Sequence, residues 1–180
     1  MAYINAASSG NSARLLLNVN DGTAPALVDF LTTGTGSPVL HTVDAGVLDT
    51  PAIQDISIVA NAGTFRWKQL DSLSEQVVTT VSTNSITGNL VIDPTSFFGD
   101  GAGDVTAVDK GIFTLSNNKV KVDFLIALDG ITAGDRVIFG SGYITNLNLQ
   151  VSADNPVWTS PYTLEVDGSY TQVVLGSTIA

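Results

Sequence analysis

Apolar and polar positions alternate along most of this chain, and that alternation predicts strands. The first covers residues 14–19, where Leu15, Leu16 and Leu17 sit between Arg14 and Asn18. In residues 53–59, Ile56 and Ile58 share a face. In residues 64–68, Phe65 and Trp67 alternate with Thr64, Arg66 and Lys68. Asn61-Ala62-Gly63 reads as the hairpin turn between these two segments. Strands over residues 77–81 and 86–92 follow, the second with Ile86, Gly88, Leu90 and Ile92 on one side. Later in the chain Val120, Val122 and Phe124 face away from Lys119, Lys121 and Asp123. Residues 136–139 and 142–151 form a long strand with Gly140 and Gly142 as natural bulge sites. Residues 160–166 and 172–175 close the set. Turns fall at Asp129-Gly130, Asp154-Asn155-Pro156 and Asp167-Gly168.

One segment changes period. Residues 97–103, Gly-rich after Phe97 and Phe98, read as a loop. Asp104 is placed to cap a helix, since its carboxylate accepts from orphan amides. Val105, Val108, Ile112 and Leu115 then recur at helical spacing, and Asn117-Asn118 stops the helix. Gly111 lies inside it, where glycine costs about 1 kcal/mol relative to alanine. Between Asp21 and Pro51 the pattern is weak: residues 26–31 suit a short helix or a strand, and residues 32–38 read as a loop. With no repeat and no linker, residues 1–180 read as one domain whose first 52 residues are weakly patterned. Strands, one helix, then strands predict a mainly β fold, a β-sandwich or barrel with one packed α-helix.

Composition narrows the function. Val, Ile and Thr are abundant and Glu occurs twice, which favours pleated surfaces over helices. The net charge of −10 excludes a basic nucleic-acid footprint. Only 13% of residues are charged, against about 25% in an ordinary domain. The longest apolar run, Phe124-Leu125-Ile126-Ala127-Leu128, is far short of the roughly 20 residues a membrane span needs. The first residues carry no basic stretch or long apolar run, so a soluble protein made in the cytoplasm is expected.

Catalytic chemistry finds little to stand on. There is no cysteine, and His41 is the single histidine, so it would be the base of any triad; an ordinary surface or interface histidine is the plainer reading. Neither Gly34-Thr35-Gly36-Ser37 nor the loop at Gly99 to Gly103 continues as a phosphate-binding loop. Asp100 with Asp104, or Asp129 with Asp135, lacks the spacing of a calcium loop. Of Trp67, Trp158, Tyr143, Tyr162 and Tyr170, Trp67 alone has basic neighbours, Arg66 and Lys68, too few for a base-stacking platform, which leaves core packing or subunit contact. No catalytic, cofactor-binding or metal residue is assigned, and no cofactor is expected.

The second half carries a more specific pattern. A strand over residues 86–92 ends at Asp93-Pro94 and leads to the helix. A strand, a turn and the strand Gly140-Ser141-Gly142-Tyr143-Ile144-Thr145-Asn146-Leu147-Asn148-Leu149 follow. The last strand, Tyr162-Thr163-Leu164-Glu165-Val166, runs into Asp167-Gly168. Over residues 53–175 this succession resembles the major tail tube protein of long-tailed bacteriophages. The final strand lacks the usual Phe-Glu-Gly ending, and residues 1–50 match nothing in the pattern.

The resemblance implies a structural virion protein, not an enzyme. It implies hexameric rings whose strands join into one inner barrel, stacked into a tube that conducts DNA into the host. It further implies tape measure and terminator proteins as partners, no membrane insertion, and location in the virion tail after assembly in the host cytoplasm. A long loop would reach the neighbouring ring. Its expected place is the polar stretch after Lys68, with Gln69, Leu70, Asp71, Ser72, Leu73, Ser74, Glu75, Gln76, Thr83 and Asn84; residues 21–51 are the rival. An acidic lumen would repel phosphate and let DNA slide, with Asp55, Asp93, Asp123 and Glu165 as candidate lining. The alternatives are another virion β-protein (terminator, decoration or baseplate) or a β-sandwich adhesion module.

Overall fold

The computed structural model describes residues 13–50, 53–68, 74–101, 103, 105–128, 130–152 and 155–179. Along the chain come β1 (Arg14–Val19), a 3-10 turn (Leu27–Asp29), β2 (Leu31–Thr35), β3 (Leu40–Val43), β4 (Leu48–Thr50), β5 (Ile53–Lys68), β6 (Glu75–Val91), α1 (Pro94–Phe98), α2 (Ala107–Asn117), β7 (Lys121–Ala127), β8 (Arg136–Leu147), β9 (Gln150–Ser152), β10 (Asn155–Val166) and β11 (Thr171–Val174). The fold is mainly β, and the strands pair antiparallel. The large sheet runs in the order β4-β1-β7-β8-β10-β6-β5, with β11 on β8 and β9 on β10; β2 and β3 form a separate hairpin.

Two cores lie on opposite faces of β1 and β7. Leu15, Leu17, Val122, Phe124 and Ile126 pack on one side with Ile86, Leu115, Ile144 and Leu164. Leu16, Leu125 and Ala127 pack on the other with Phe30, Leu31, Val137 and Leu175. A strand buried on both faces needs apolar residues without alternation. That is why Leu15 to Leu17 and Phe124 to Ala127 are continuous apolar runs. Each large side chain so buried contributes about 1.5–3 kcal/mol. The second core needs the β2–β3 hairpin as its cover, and residues 32–35 of β2 fall in the stretch expected to be a loop.

Several expectations move by a few residues. The long strand β8 has its extra residue at Thr145, because Leu164 faces Ile144 while Thr163 faces Asn146. Gly140 and Gly142 serve close packing instead: a Cβ on Gly140 would stand 3.0 Å from Phe124 Cζ, and one on Gly142 would meet the Glu165 carbonyl oxygen. Here β8 passes from pairing with β11 to pairing with β10. Asn155 and Pro156 open β10 and are not in a turn.

The helical region comes in two pieces. Asp93 caps α1, its carboxylate accepting from Ser96 N at 2.9 Å. Asp104, the expected cap of the longer helix, lies outside the described residues, and Thr106 caps α2 by accepting from Asp109 N. Asp109 accepts in return from Thr106 N, which completes a capping box. Val105 precedes the helix and is exposed, and Gly111, at φ +66° and ψ 165°, kinks α2 between Val108 and Ile112, so the expected stripe is not one continuous helical face although Val108, Ile112 and Leu115 all pack on the first core.

The expected turn at Asn61-Ala62-Gly63 is absent. β5 continues through it to Lys68, paired with β6 along its whole length. Gly63 marks an irregularity in that ladder, where a Cβ would collide with the Thr80 hydroxyl and stand 2.7 Å from the Val81 carbonyl oxygen. The separate strands expected over residues 77–81 and 86–92 are one strand, β6.

Candidate assembly surface

Cross-strand register fixes two faces on the sheet formed by β5, β6 and β10. One carries Ile56, Ile58, Ile86, Leu90, Tyr162 and Leu164 into the first core. On the other, residues line up in rows: Asp55, Asn89 and Pro161; Ser57, Thr87 and Thr163; Val59, Ser85 and Glu165. The last row continues through Tyr143 on β8 to Lys121 on β7. This face is built of small polar side chains with few charges. Its base Lys121 is held by Asp167 at 2.8 Å, a hydrogen bond that raises the ammonium's pKa.

The four acids expected at a lumen separate. Asp55 is exposed at one end of the polar face, accepting from Asn89 N at 2.9 Å and Asn89 Nδ2 at 2.8 Å. Glu165 is exposed near its middle. Asp93 is exposed at the N-terminus of α1. Asp123 is inside the protomer at 4% exposure, against Ser141 Oγ at 2.6 Å and Asn20 Nδ2 at 2.7 Å. Burial raises its pKa, and the two hydrogen bonds oppose that. β7 turns Asp123 toward the second core, where Asn18 and Ser141 flank it on β1 and β8. Alternation alone had placed it with the surface residues Lys119 and Lys121.

Past Val59 and Thr83 the β5–β6 hairpin leaves the body. Residues 75–83 of β6 are exposed without interruption. Of the segment expected as a contact loop, Gln69, Leu70, Asp71, Ser72 and Leu73 lie outside the described residues, and Ser74 is a bend. Glu75, Gln76, Thr83 and Asn84 belong to β6, so most of the described loop is strand. Asn84 is buried, and its Nδ2 donates to Gly168 O at 2.8 Å, anchoring the base of the arm. On the arm Phe65 and Trp67 stack with ring centroids 5.9 Å apart and are 59% and 37% exposed. Val78, directly opposite Phe65, is exposed as well.

β5 is the last strand of the sheet order, and its outer edge has no partner among the described residues. Residues 56–65 of that edge contain no charge and no proline, the usual devices against strand addition. At the opposite end, α1 and α2 lie against β4.

His41, expected at a surface or an interface, is buried on β3, and its Nε2 bonds Gly176 O at 2.9 Å. Among the described residues no group of three or more metal-ligating side chains converges, and no helix is long and apolar enough to cross a membrane.

No family model matches the sequence, and no curated protein matches it. Solved structures do share the fold. A chain from the tail of an empty gene transfer agent particle, determined with C6 symmetry, superposes with a TM-score of 0.53 at 14% identity over 89% of this chain and 96% of that one. The SPP1 tail tube superposes with a TM-score of 0.53 at 13% identity, over 92% and 79%. A chain of the sheath–tube complex of an extracellular contractile injection system gives 0.50 at 16% identity, over 90% and 89%. The fold is therefore that of tail tube structures.

Proposed function

We propose that this protein is the structural subunit of a virion tail tube. Six copies form a ring, the sheets join edge to edge into an inner barrel, and rings stack into a tube through which DNA passes. Other tail proteins bind the tube ends, and the subunit performs no catalysis. The observation that carries this reading is the long β5–β6 hairpin: its arm and its outer edge both lack partners among the described residues of the protomer. A two-stranded ribbon is marginal alone in water. An uncapped edge of this length is a template for a further strand. Supplied by copies of the same chain, those partners make a heterologous, repeating contact.

The polar face of β5, β6 and β10 is the lumen in this reading. Its small hydroxyl and amide side chains offer DNA no strong hold, and Asp55 and Glu165 add like-charge repulsion. Asp123 takes no part, being buried. The expected contact residues 69–76, with Thr83, make contact with the next ring. Negative-stain microscopy of the concentrated protein is the test. Stacked rings or hollow tubes are expected, and a protein that stays monomeric at high concentration overturns the proposal.

A further inference from the structure

Stacking through the arm requires a receiving surface, and the chain carries a second exposed aromatic pair. Phe98 at the end of α1 and Phe113 on α2 have ring centroids 6.0 Å apart, each 47% exposed, over the buried ring of Phe97. Phe97 lies 5.0 Å from Phe98 and 6.1 Å from Phe113, so the corner is a braced aromatic surface. It is held there by backbone contact: Gly99 and Gly111 meet without room for a side chain on either. Half-exposed aromatic rings on a rigid base are the usual anchors of a protein contact.

We propose that the Phe98–Phe113 corner of one copy receives the Phe65–Trp67 stack on the arm of a second copy. This rests on the tube reading and names the contact between its layers. Charge argues for that occupant. Arg66 and Lys68 bracket Trp67 on the arm, and Glu75 is the one acid among the arm's described residues. Among the described residues between 93 and 110 stand Asp93, Asp100 and Asp109 against Lys110. The two bases that flank Trp67 therefore meet a corner richer in acids than in bases. Reach allows it: residues 60–68 extend roughly 30 Å beyond the body at strand rise. Arm and corner are different surfaces, so each copy offers one and accepts the other, and the contact propagates.

Two double variants test this, Phe65→Ser with Trp67→Ser and Phe98→Ser with Phe113→Ser. Amide exchange of β7 and β8 verifies that each protomer stays folded. Each variant alone is expected to raise the concentration at which tubes appear about tenfold or more. Mixed, the intact arm of one docks on the intact corner of the other, giving short complexes and no tubes. In a separate cross-linking experiment Val78→Cys protein is mixed with Asn117→Cys protein, Asn117 lying one helical turn beyond Phe113. The chain has no native cysteine, so a disulfide-linked dimer joining the two variants supports the contact. Tubes from the corner variant at the wild-type concentration, or Val78→Cys protein that links only to itself, overturn it. Wild-type protein that forms no tubes overturns the tube reading, and the cross-link then decides the contact alone.

Discussion

Asp123 shows what one buried carboxylate does to a β core. Its neighbours in register are Asn18 and Ser141, and it accepts from Ser141 and Asn20 with the same oxygen. Burial raises its pKa above the ordinary value in spite of those bonds, with nearby Asp29 and Asp21 adding to the rise. The unfolded chain therefore releases this proton first, near pH 4. The carboxyl's contribution to stability is complete below that value and is lost as pH rises through its higher native pKa. Asp123→Asn keeps the acceptor oxygen and removes the titration. Urea unfolding between pH 4 and 7 should show the variant gaining on the wild type as pH rises, with the difference closing toward pH 4. A pH-independent difference would mean that Asp123 acts by packing alone.

Gly111 reverses an expectation at the same scale. Helix propensity says alanine should stabilise position 111 by about 1 kcal/mol. In the fold Gly111 has φ +66°, and a Cβ would sit 2.8 Å from the Phe97 carbonyl oxygen and also collide with the backbone of Gly99. Gly111→Ala is expected to destabilise by about 2 kcal/mol or more, measured by chemical denaturation. The sequence shows the glycine but not this role, because the collision is with α1, a separate segment of chain.

Among the elements, the β5–β6 hairpin divides into two regimes. From Ile53 to Ile58 it is covered by the first core and continues into β10 through β6. Beyond that it is a bare two-stranded ribbon. Amides of residues 60–68 and 75–82 should exchange fast in dilute protein and become protected in tubes, while β7 and β8 stay protected in both. Exchange mass spectrometry reads this directly, and protection of the arm in the monomer would contradict it. The period-2 alternation of Phe65, Arg66, Trp67 and Lys68 was legible as strand. The continuity through Gly63 was not. Asn-Ala-Gly is turn chemistry, and it is overridden when both flanks pair with one partner strand. Glu75, Gln76, Thr83 and Asn84 are polar enough to read as loop, and only their pairing with Lys68, Trp67, Asn61 and Ala60 on β5 makes them strand.

At the level of the whole molecule, acidity and polarity acquire a location. Ser57, Ser85, Thr87, Asn89 and Thr163 cover one face of the sheet, with Asp55 and Glu165 among them. If that face lines a channel for DNA, adding positive charge should make the channel adhesive. Tubes of a Ser57→Lys, Glu165→Lys variant are expected to retain DNA in sedimentation assays, with retention falling steeply as salt rises. Wild-type tubes should retain none; equal retention by both would remove the electrostatic account.

Sequence alone determined the class of fold and much of its order. Alternation depends only on the two-sidedness of a strand, and the spacing of Ile112 and Leu115 only on helical pitch. Both are local, so both are readable in one dimension. The absence of cysteine and the single histidine were equally plain and already weighed against catalysis. Tertiary structure decided what depends on a distant partner. It placed His41 and Asp123 inside, turned the weak segment before Pro51 into the cover of a second core, and made Gly111 a point of contact between helices. It also showed that the hairpin outruns its own protomer. Burial is settled by which surface arrives opposite, and for this arm that surface belongs to no other part of the protomer described.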